Sequence, residues 1–270
     1  MTGQFYFLRF LKLVAMPKRS ARSMYLFVSS LIIGLFSFPF AFAKTVEKRS
    51  KKIIHTVIDS AHSISGLTPD LLSVYDSLNL SIDGINRKAF EFAQYGFERL
   101  KQQGIFLNDS IISIIDFSLP STEKRLFVLD LKNYKLLFKT YVAHGRNSGK
   151  DIANSFSNKP RSYKSSLGFY RTLQTYFGSN GFSLKLQGLE KGINDNAFRR
   201  AIVMHGADYV SPSFAESQGY IGRSQGCPAV MSEEAPEIIN TIKDGSCLFI
   251  YHPSADYRQH SSLLPRSSKV

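Results

Sequence analysis

A histidine and a cysteine separated by 22 residues are the side chains of this sequence best suited to chemistry. His205 ends an apolar run, and Cys227 stands in a Ser-x-Gly-Cys turn. A thiol needs a base to become a nucleophile at neutral pH, and a histidine close in space is the usual one. Gly206 and Gly226 adjoin these two residues, and glycine lets backbone carbonyls and amides approach a reacting centre closely. The pattern therefore predicts a cysteine acyl-transfer site.

Two other roles are open to the same thiol. The chain has two cysteines, Cys227 and Cys247, and an even pair in an oxidising compartment typically forms a disulfide. Cys247 begins the apolar run CLFI, however, and fits a small buried hydrophobic residue. A zinc site built from the two cysteines with His205 and His252 lacks C-x-x-C spacing. We therefore expect a free Cys227, no disulfide and no bound metal.

Two groups near this pair are assigned no chemistry. His144-Gly145 imitates the His-Gly pair, but no Ser-x-Gly-Cys follows it at a comparable distance, so we interpret His144 as a loop or cleft residue. Arg199 and Arg200 come shortly before the strand that ends at His205. We interpret both arginines as solvent-exposed residues at the start of that strand.

The N-terminus has the features of an export signal. A lead with five basic and no acidic residues precedes an apolar run, Met24 to Phe42, which closes with Ala41-Phe42-Ala43. A positive start, an apolar centre and an A-x-A end are the parts of a secretory signal peptide. Residues 1–43 are therefore expected to be cleaved off, and an uncleaved anchor at residues 24–43 is the alternative. Both place the chain from Lys44 onward outside the cytoplasm, in the periplasm or cell envelope.

Charge narrows the choice of partners. Without residues 1–43 the chain would carry 29 basic and 21 acidic residues, a net charge of +8. A basic exported protein suits an anionic envelope polymer or a membrane surface, and a solvated basic surface without a specific partner is an equal alternative. The charges are scattered and no basic helix carries interleaved aromatics, so we expect no nucleic-acid binding. Membrane contact is expected only through residues 24–43, if they stay uncleaved.

Hydrophobic periodicity separates a helical part of the chain from a β part. Apolar residues recur at helical spacing from Val46 to Gln103, and Thr68-Pro69-Asp70 has the form of a helix start. A helix is predicted over Ile85–Gln103, with Gly104 ending it. Residues 44–104 are therefore expected to form an N-terminal helical segment.

From residue 105 the pattern is typical of strands. β-branched and aromatic residues predict strands, and the serine-rich residues 145–166 predict a long loop. One helix is predicted at Glu233–Ile242, after the Ser-x-Gly-Cys turn. The predicted strands are Ile111–Phe117, Arg125–Leu131, Lys135–His144, Leu167–Thr172, Phe182–Leu186, Ala201–His205 and Cys247–His252. We expect a mostly β catalytic domain at residues 105–253 and a polar tail at residues 254–270.

Several ordered segments resemble the catalytic domain of the murein L,D-transpeptidases. The signature of that family is a His-Gly or His-Ser pair, a spacer and then Ser-x-Gly-Cys, which His205-Gly206 and residues 224–227 match. The branch in which proline follows the cysteine is the most similar. Further matching segments are residues 165–170 (SSLGFY), 184–189 (LKLQGL) and 202–207 (IVMHGA). The resemblance extends from about Leu78 to His252.

This resemblance implies a β-sandwich-like domain with an active-site cleft. In the family the cysteine is the nucleophile, the histidine is its base, and the carbonyl of the next residue orients the histidine. Carried over to this chain, these are Cys227, His205 and Gly206. The amides of the turn Gln225-Gly226-Cys227 would form the oxyanion hole, because preorganised N–H groups best meet the charge developing on a tetrahedral oxygen.

Two departures from the family pattern concern substrate binding. Many relatives carry a second histidine before the Gly-Cys pair, where this chain has Gln225, which donates a hydrogen bond but carries no proton. Many also carry an arginine or asparagine soon after the cysteine, where this chain has Pro228-Ala229. Arg223 is the candidate to supply that positive charge to a substrate carboxylate. Ser224 and Tyr209 are assigned with it to substrate binding.

The function implied by the resemblance is that of an exported peptidoglycan L,D-transpeptidase. Cys227 would attack the third-position carbonyl of a stem tetrapeptide, expel the terminal D-alanine and pass the acyl group to an amine of a neighbouring stem, forming a 3→3 cross-link. No metal or organic cofactor is expected, because a thiolate and an oxyanion hole suffice. The alternatives are an L,D-carboxypeptidase or endopeptidase that uses water, and a non-catalytic peptidoglycan-binding envelope protein.

Overall fold

A computed structural model describes residues 74–81 and 83–265 of the chain. The predicted export signal at residues 1–43 and the helices predicted between residues 44 and 73 lie outside this range. Residues 74–77 are helical, and the first long helix, α1, is Arg87–Gln102. Asn86 starts α1, because its side-chain oxygen accepts hydrogen bonds from the amides of Lys88 and Ala89. No helix in the described ranges is long and apolar enough to span a bilayer.

Eight strands among the described residues form one sheet, in the order β3-β2-β1-β8-β4-β5-β6-β7. Strands β1 and β8 pair in parallel at its centre, and every residue in them is buried. Helix α1 packs on both of these strands with its apolar face. The strands are β1 Ile111–Asp116, β2 Leu126–Asp130, β3 Lys135–Thr140, β4 Gly168–Gly178, β5 Gly181–Gly188, β6 Val203–Gly206, β7 Ala229–Val230 and β8 Cys247–Tyr251.

The sheet curls until its two ends meet. Ala143, which follows β3, bridges to Ala229 in β7, and the amide of Ala143 donates to the carbonyl of Ala229 across 2.8 Å. The long segment between residue 145 and β4 forms no strand, as the serine-rich sequence predicts. A nearly closed, barrel-like sheet with few helices confirms the predicted mostly β fold.

Three further helices follow the strands of the second half. They are α2 Pro212–Gln218, α3 Ala235–Ile242 and α4 Ala255–His260. Helix α3 is the predicted helix after the Ser-x-Gly-Cys turn, and it packs on β5 and β6. The sequence pattern does not predict α2, because none of its residues is buried and it therefore has no apolar stripe.

The segment expected as a polar tail is folded as far as the structure describes it. The Tyr257 hydroxyl in α4 donates to Glu190 across 2.9 Å, and the Ser261 hydroxyl donates to the other oxygen of the same buried carboxylate. Leu263 and Leu264 are buried in the core. Residues 254–265 therefore belong to the β domain, because a buried carboxylate and two leucines hold them there.

Candidate active site

The register between β6 and β7 brings the predicted histidine and cysteine to one place. His205 on β6 pairs with Ala229 on β7, and Cys227 precedes Ala229 by two residues. Both side chains line one cavity of about 590 Å³. His205 is 5% exposed and Cys227 is 9% exposed, so the cavity is their main access to solvent.

The hydrogen bond between His205 and Gly206 selects one tautomer of the imidazole. Nδ1 of His205 lies 2.8 Å from the carbonyl oxygen of Gly206, which can only accept. Nδ1 therefore carries the proton, and Nε2 keeps a free lone pair. Burial lowers the pKa of His205, and the bond to Gly206 offsets part of that effect. The imidazole is consequently in its proton-accepting form at neutral pH.

The thiol of Cys227 lies against the start of β6. The amide of Val203 donates to Sγ across 3.5 Å, and Sγ is 3.8 Å from the carbonyl oxygen of Ala201. Burial raises the pKa of the thiol, while the Val203 amide and the charge of Arg200 act in the opposite direction. Among the described residues no hydrogen bond joins Sγ to the His205 ring. The resting thiol is therefore protonated.

Ser224 closes the turn that carries the cysteine. Its hydroxyl donates to the carbonyl of Cys227 across 2.6 Å and accepts from the amide of Gly226 across 3.0 Å. Gly226 has φ +123°, and a Cβ there would lie 2.8 Å from the carbonyl oxygen of Lys164, so a larger residue would push the turn away. Ser224 thus shapes the turn, and its substrate contact stays a prediction.

The same turn offers two free backbone donors. The amide of Gly226 is occupied by Ser224, whereas the amides of Gln225 and Cys227 have no acceptor within the described part of the chain. Preorganised N–H groups of this kind stabilise a developing oxyanion. The geometry therefore leaves Gln225 and Cys227 to supply the expected oxyanion hole.

A second backbone segment, residues 143–146, braces the turn from the side. The amide of Ser224 donates to the carbonyl of His144 across 3.0 Å, and the amide of Arg146 donates to the carbonyl of Ser224 across 2.8 Å. The His144 side chain is buried, and its Nδ1 accepts from Arg125 across 2.7 Å. Burial, helped by the charge of Arg125, lowers the pKa of His144 to about 3. His144 is therefore a buried loop residue behind the site, as one of the two interpretations has it, and it does not line the cavity.

The cavity is strongly positive. Its lining contains four arginines and no carboxylate, and none of the ion pairs among the described residues involves those arginines. Arg223 is held by the carbonyls of Arg146 and Gly149. Burial raises the pKa of Tyr209, another lining residue, to about 12, so its phenol stays neutral. The lining arginines are Arg146, Arg161, Arg200 and Arg223.

Comparison with known protein families identifies the family of the domain that carries this site. The family model of the L,D-transpeptidase catalytic domain matches residues 81–251, which hold the sheet, the His-Gly pair and the Ser-x-Gly-Cys turn. The chain belongs to this family. A comparison with curated proteins found no match.

Several solved structures are similar to this L,D-transpeptidase domain at low identity. An L,D-transpeptidase from Mycobacterium smegmatis is 14% identical, with a TM-score of 0.33 over 53% of this chain and 59% of that one. L,D-transpeptidase 1 from Mycobacterium tuberculosis is 10% identical, with a TM-score of 0.31 over 52% and 61%. The helical cell shape determining protein Pgp2 from Campylobacter jejuni is 13% identical, with a TM-score of 0.36 over 63% and 58%. The match spans about three fifths of the length of these structures.

Arg200 is one of several residues in the cavity of the L,D-transpeptidase domain to which the sequence pattern assigns no role. Arg200 is half-buried and lines the cavity, so its interpretation as a solvent-exposed strand start is wrong. Its guanidinium donates to the carbonyls of Ser157 and Lys164 across 2.7 and 2.6 Å. Its neighbour Arg199 is exposed, as predicted, and donates only to Asn196. No local pattern reveals the difference, because the acceptors of Arg200 lie 34 to 43 positions earlier in the chain.

The second cysteine of the domain lies outside the cavity. Cys247 begins the central strand β8 and has no exposed surface. Both cysteines are free thiols. Burial raises the pKa of Cys247 well above its ordinary value, so this thiol is inert.

Proposed function

We propose that this domain is a cysteine-dependent peptidoglycan L,D-transpeptidase of the cell envelope. The observation that carries the proposal is the cavity shared by the Cys227 thiol and an imidazole whose Nε2 is free to accept a proton. A protein that only binds stem peptides needs neither group. Membership of the L,D-transpeptidase family supports the same chemistry.

The first half of the reaction forms an acyl-enzyme. Nε2 of His205 takes the proton from the Cys227 thiol as the sulfur bonds to the carbonyl carbon of the third residue of a stem tetrapeptide. The carbonyl oxygen becomes an oxyanion and accepts hydrogen bonds from the amides of Gln225 and Cys227. The bond to the terminal D-alanine then breaks, and His205 returns its proton to the leaving amine. Cys227 holds the peptide as a thioester.

The second half regenerates the thiol. An amine of a neighbouring stem attacks the thioester carbon, gives its proton to His205, and displaces the sulfur, which takes that proton back. The product is a 3→3 cross-link. With water as the attacking group, the same steps release a tripeptide, which is the carboxypeptidase alternative.

The positive charge of the cavity favours an acyl-donor peptide that carries carboxylates. Four arginines without a carboxylate partner raise the local concentration of an anionic substrate. Arg223 is the candidate to bind a substrate carboxylate, since two carbonyls hold its guanidinium and Tyr220 supports it at 5.1 Å. Tyr209 and Gln225 line the cavity beside it.

The experiment that tests the proposal is incubation of the purified protein with disaccharide-tetrapeptide muropeptides, with products identified by mass spectrometry. Release of D-alanine and a cross-linked dimer are expected, and Cys227→Ala should abolish both. Cys247→Ala is the matched control and should keep activity, since that thiol lies outside the cavity. Tripeptide without dimer would establish the carboxypeptidase, and turnover by Cys227→Ala would overturn the mechanism.

We further propose that the domain is exported. The support is the sequence of residues 1–43, with its basic lead, apolar run and A-x-A end. N-terminal sequencing of protein from the cell envelope should begin at Lys44, or the protein should stay in the membrane fraction with its domain outside. A soluble cytoplasmic pool that retains residues 24–43 would contradict both versions.

A further inference from the structure

The guanidinium of Arg200 is fixed between the catalytic turn and the loop before β4. It donates to two carbonyls, of Ser157 and Lys164, and to two hydroxyls, of Ser162 and Ser166, each at 3.3 Å. All four acceptors are neutral. No carboxylate in the described part of the chain forms an ion pair with Arg200, so its charge is not cancelled locally.

This charge lies beside the turn that carries the nucleophile. A Cβ built on Gly226, the residue before Cys227, would lie 3.2 Å from Nη2 of Arg200. Ala201, the next residue after Arg200, has φ +55°, an uncommon conformation for a residue with a Cβ, and its carbonyl contacts the thiol. The guanidinium and the backbone that follows it thus reach the Cys227 turn together.

We propose that Arg200 is a positioning residue whose fixed positive charge favours the thiolate form of Cys227. This inference rests on the proposed role of Cys227 as the nucleophile. No proton passes to Arg200: the S–H bond of Cys227 breaks, the proton bonds to Nε2 of His205, and the guanidinium stays charged throughout. Burial lowers the pKa of Arg200, and an arginine nevertheless remains protonated at neutral pH.

The site needs such a charge because burial acts against the reactive ion pair. Burial raises the pKa of Cys227 and lowers that of His205, so both effects favour the neutral thiol and imidazole. A fixed cation near the sulfur opposes this by stabilising the thiolate. The hydrogen bond from the Val203 amide lowers the pKa of the thiol, and the positive charge of Arg200 lowers it as well.

Other charged and titratable groups also lie around the thiol. Three more arginines line the cavity, and the titratable rings that face it are those of His205, Tyr163 and Tyr209. Tyr170 lies buried near Arg200, and burial raises its pKa, so it stays neutral. The residues that flank the nucleophile, Gln225, Gly226 and Pro228, carry no charge. Arg200, three residues before β6, therefore supplies a charge that these three positions lack.

The test measures thiol chemistry without any peptide. The rate of alkylation of Cys227 by iodoacetamide is followed against pH in the purified protein and in three variants. Arg200→Gln should lower the rate at pH 7 about tenfold and move the inflection to higher pH, because an uncompensated buried thiol ionises less readily. Arg200→Lys keeps the charge and should stay within about threefold of the wild type. Arg199→Gln removes the neighbouring, exposed charge and should change nothing.

A second pair of variants keeps Arg200 and its contacts. Ser162→Asp places a carboxylate where the Ser162 hydroxyl now accepts from Arg200, and Ser162→Asn is its neutral match. The aspartate should raise the inflection and the asparagine should leave it in place, while melting temperatures check that each variant is folded. If Arg200→Gln does not fold, this pair decides the question.

The proposal is overturned if the inflection is the same in wild type and Arg200→Gln, or in the two Ser162 variants. It is also overturned if Arg200→Lys shifts the inflection as far as Arg200→Gln, since Arg200 would then only anchor the loop. Peptide turnover by Cys227→Ala would instead overturn the proposed function and leave these alkylation results standing.

Discussion

His205 and Cys227 are both held in their neutral forms by their surroundings. The Gly206 carbonyl fixes the proton of His205 on Nδ1, and burial disfavours a second proton on the ring. Burial equally disfavours the Cys227 thiolate. In the proposed mechanism, the free protein therefore holds little preformed thiolate–imidazolium pair, and the proton moves when the substrate binds.

The first prediction at this scale concerns acid pH. Burial lowers the pKa of His205 below the ordinary value of 6.5, and only the unprotonated ring accepts a proton. Activity should therefore persist at pH 6.5 and fall at lower pH, as His205 becomes protonated. The measurement is kcat/KM for D-alanine release across the acid range. A half-maximal point above pH 6.5 would contradict this assignment of the base.

The second prediction separates Gln225 from His205. The side chain of Gln225 is exposed and makes no hydrogen bond within the described residues, and Gln225→Ala retains the backbone amide. The loss should be one neutral hydrogen bond to substrate, about 0.5–1.5 kcal/mol, or roughly a two- to twelvefold fall in rate. His205→Ala should cost about 100-fold or more, through loss of the general base. Steady-state rates of both variants, with circular dichroism as the folding control, decide the matter. Equal inactivation would show that His205 is not the only base.

The sequence reveals the residues of the site that share a local motif. His205-Gly206 and the Ser-x-Gly-Cys turn are recognisable because their spacing and glycines are visible in one stretch of 23 residues. Arg200 is not recognisable, because its meaning depends on carbonyls from another loop. A charge beside a strand looks the same in the sequence whether it points to solvent or to a thiol.

At the scale of elements, one buried arginine holds the segment that follows β3 and hydrogen-bonds to the catalytic turn. Arg125, fully buried at the start of β2, donates to the carbonyls of Leu119 and Val142 and to Nδ1 of His144. Burial lowers the pKa of Arg125 to about 9, which leaves it charged at neutral pH. Because the carbonyl of His144 accepts from Ser224, this arginine supports the turn from behind.

The third prediction follows from these contacts. Arg125→Ala leaves two carbonyls and one imidazole nitrogen buried without donors, and should lower the free energy of unfolding by about 3–5 kcal/mol. Lys124→Ala removes an exposed neighbouring charge and should change it by less than about 0.5 kcal/mol. Urea denaturation of both variants gives the comparison. An Arg125→Ala protein as stable as Lys124→Ala would mean that its acceptors find other donors.

A helix or strand could be predicted from the sequence when its buried residues form a recognisable hydrophobic pattern. Strand β8 is a continuous run of apolar and aromatic residues, and β1 is apolar except for Ser113 and Asp116. Their predicted spans differ from the observed ones only at the ends. Strand β7 is two residues long and is defined only by its pairing with a neighbouring strand, so no sequence pattern predicts it. Helix α4 is missed for a related reason, since only Tyr257 of its residues is buried.

At the scale of the whole molecule, β8 joins the two halves of the sheet. It lies between β1 and β4, with β2 and β3 beyond one neighbour and β5 to β7 beyond the other. Helix α4 and the buried leucines follow it in the chain. The last strand is thus a central one, and both sheet halves present unpaired edges without it.

The fourth prediction concerns truncation. A chain ending at Ser246 loses β8 and should fail to fold, because the core strands β1 and β4 lose their shared partner. A chain ending at Pro265 keeps every described element and should fold with an unchanged circular dichroism spectrum. A cooperative thermal transition in the shorter chain would contradict the central role of β8.

The position of β8 in the chain also determines when the sheet can fold during synthesis. Ile112 pairs with Cys247, which is 135 positions away, so the centre of the sheet waits for the end of the domain to emerge. Folding dominated by such distant pairing is slow. During that interval the apolar strand IISIID has an open edge, which is the kind of segment that seeds aggregation. A newly made chain is therefore most prone to aggregate just before β8 is synthesised. Until then, pairing with other copies of the same chain has to be prevented.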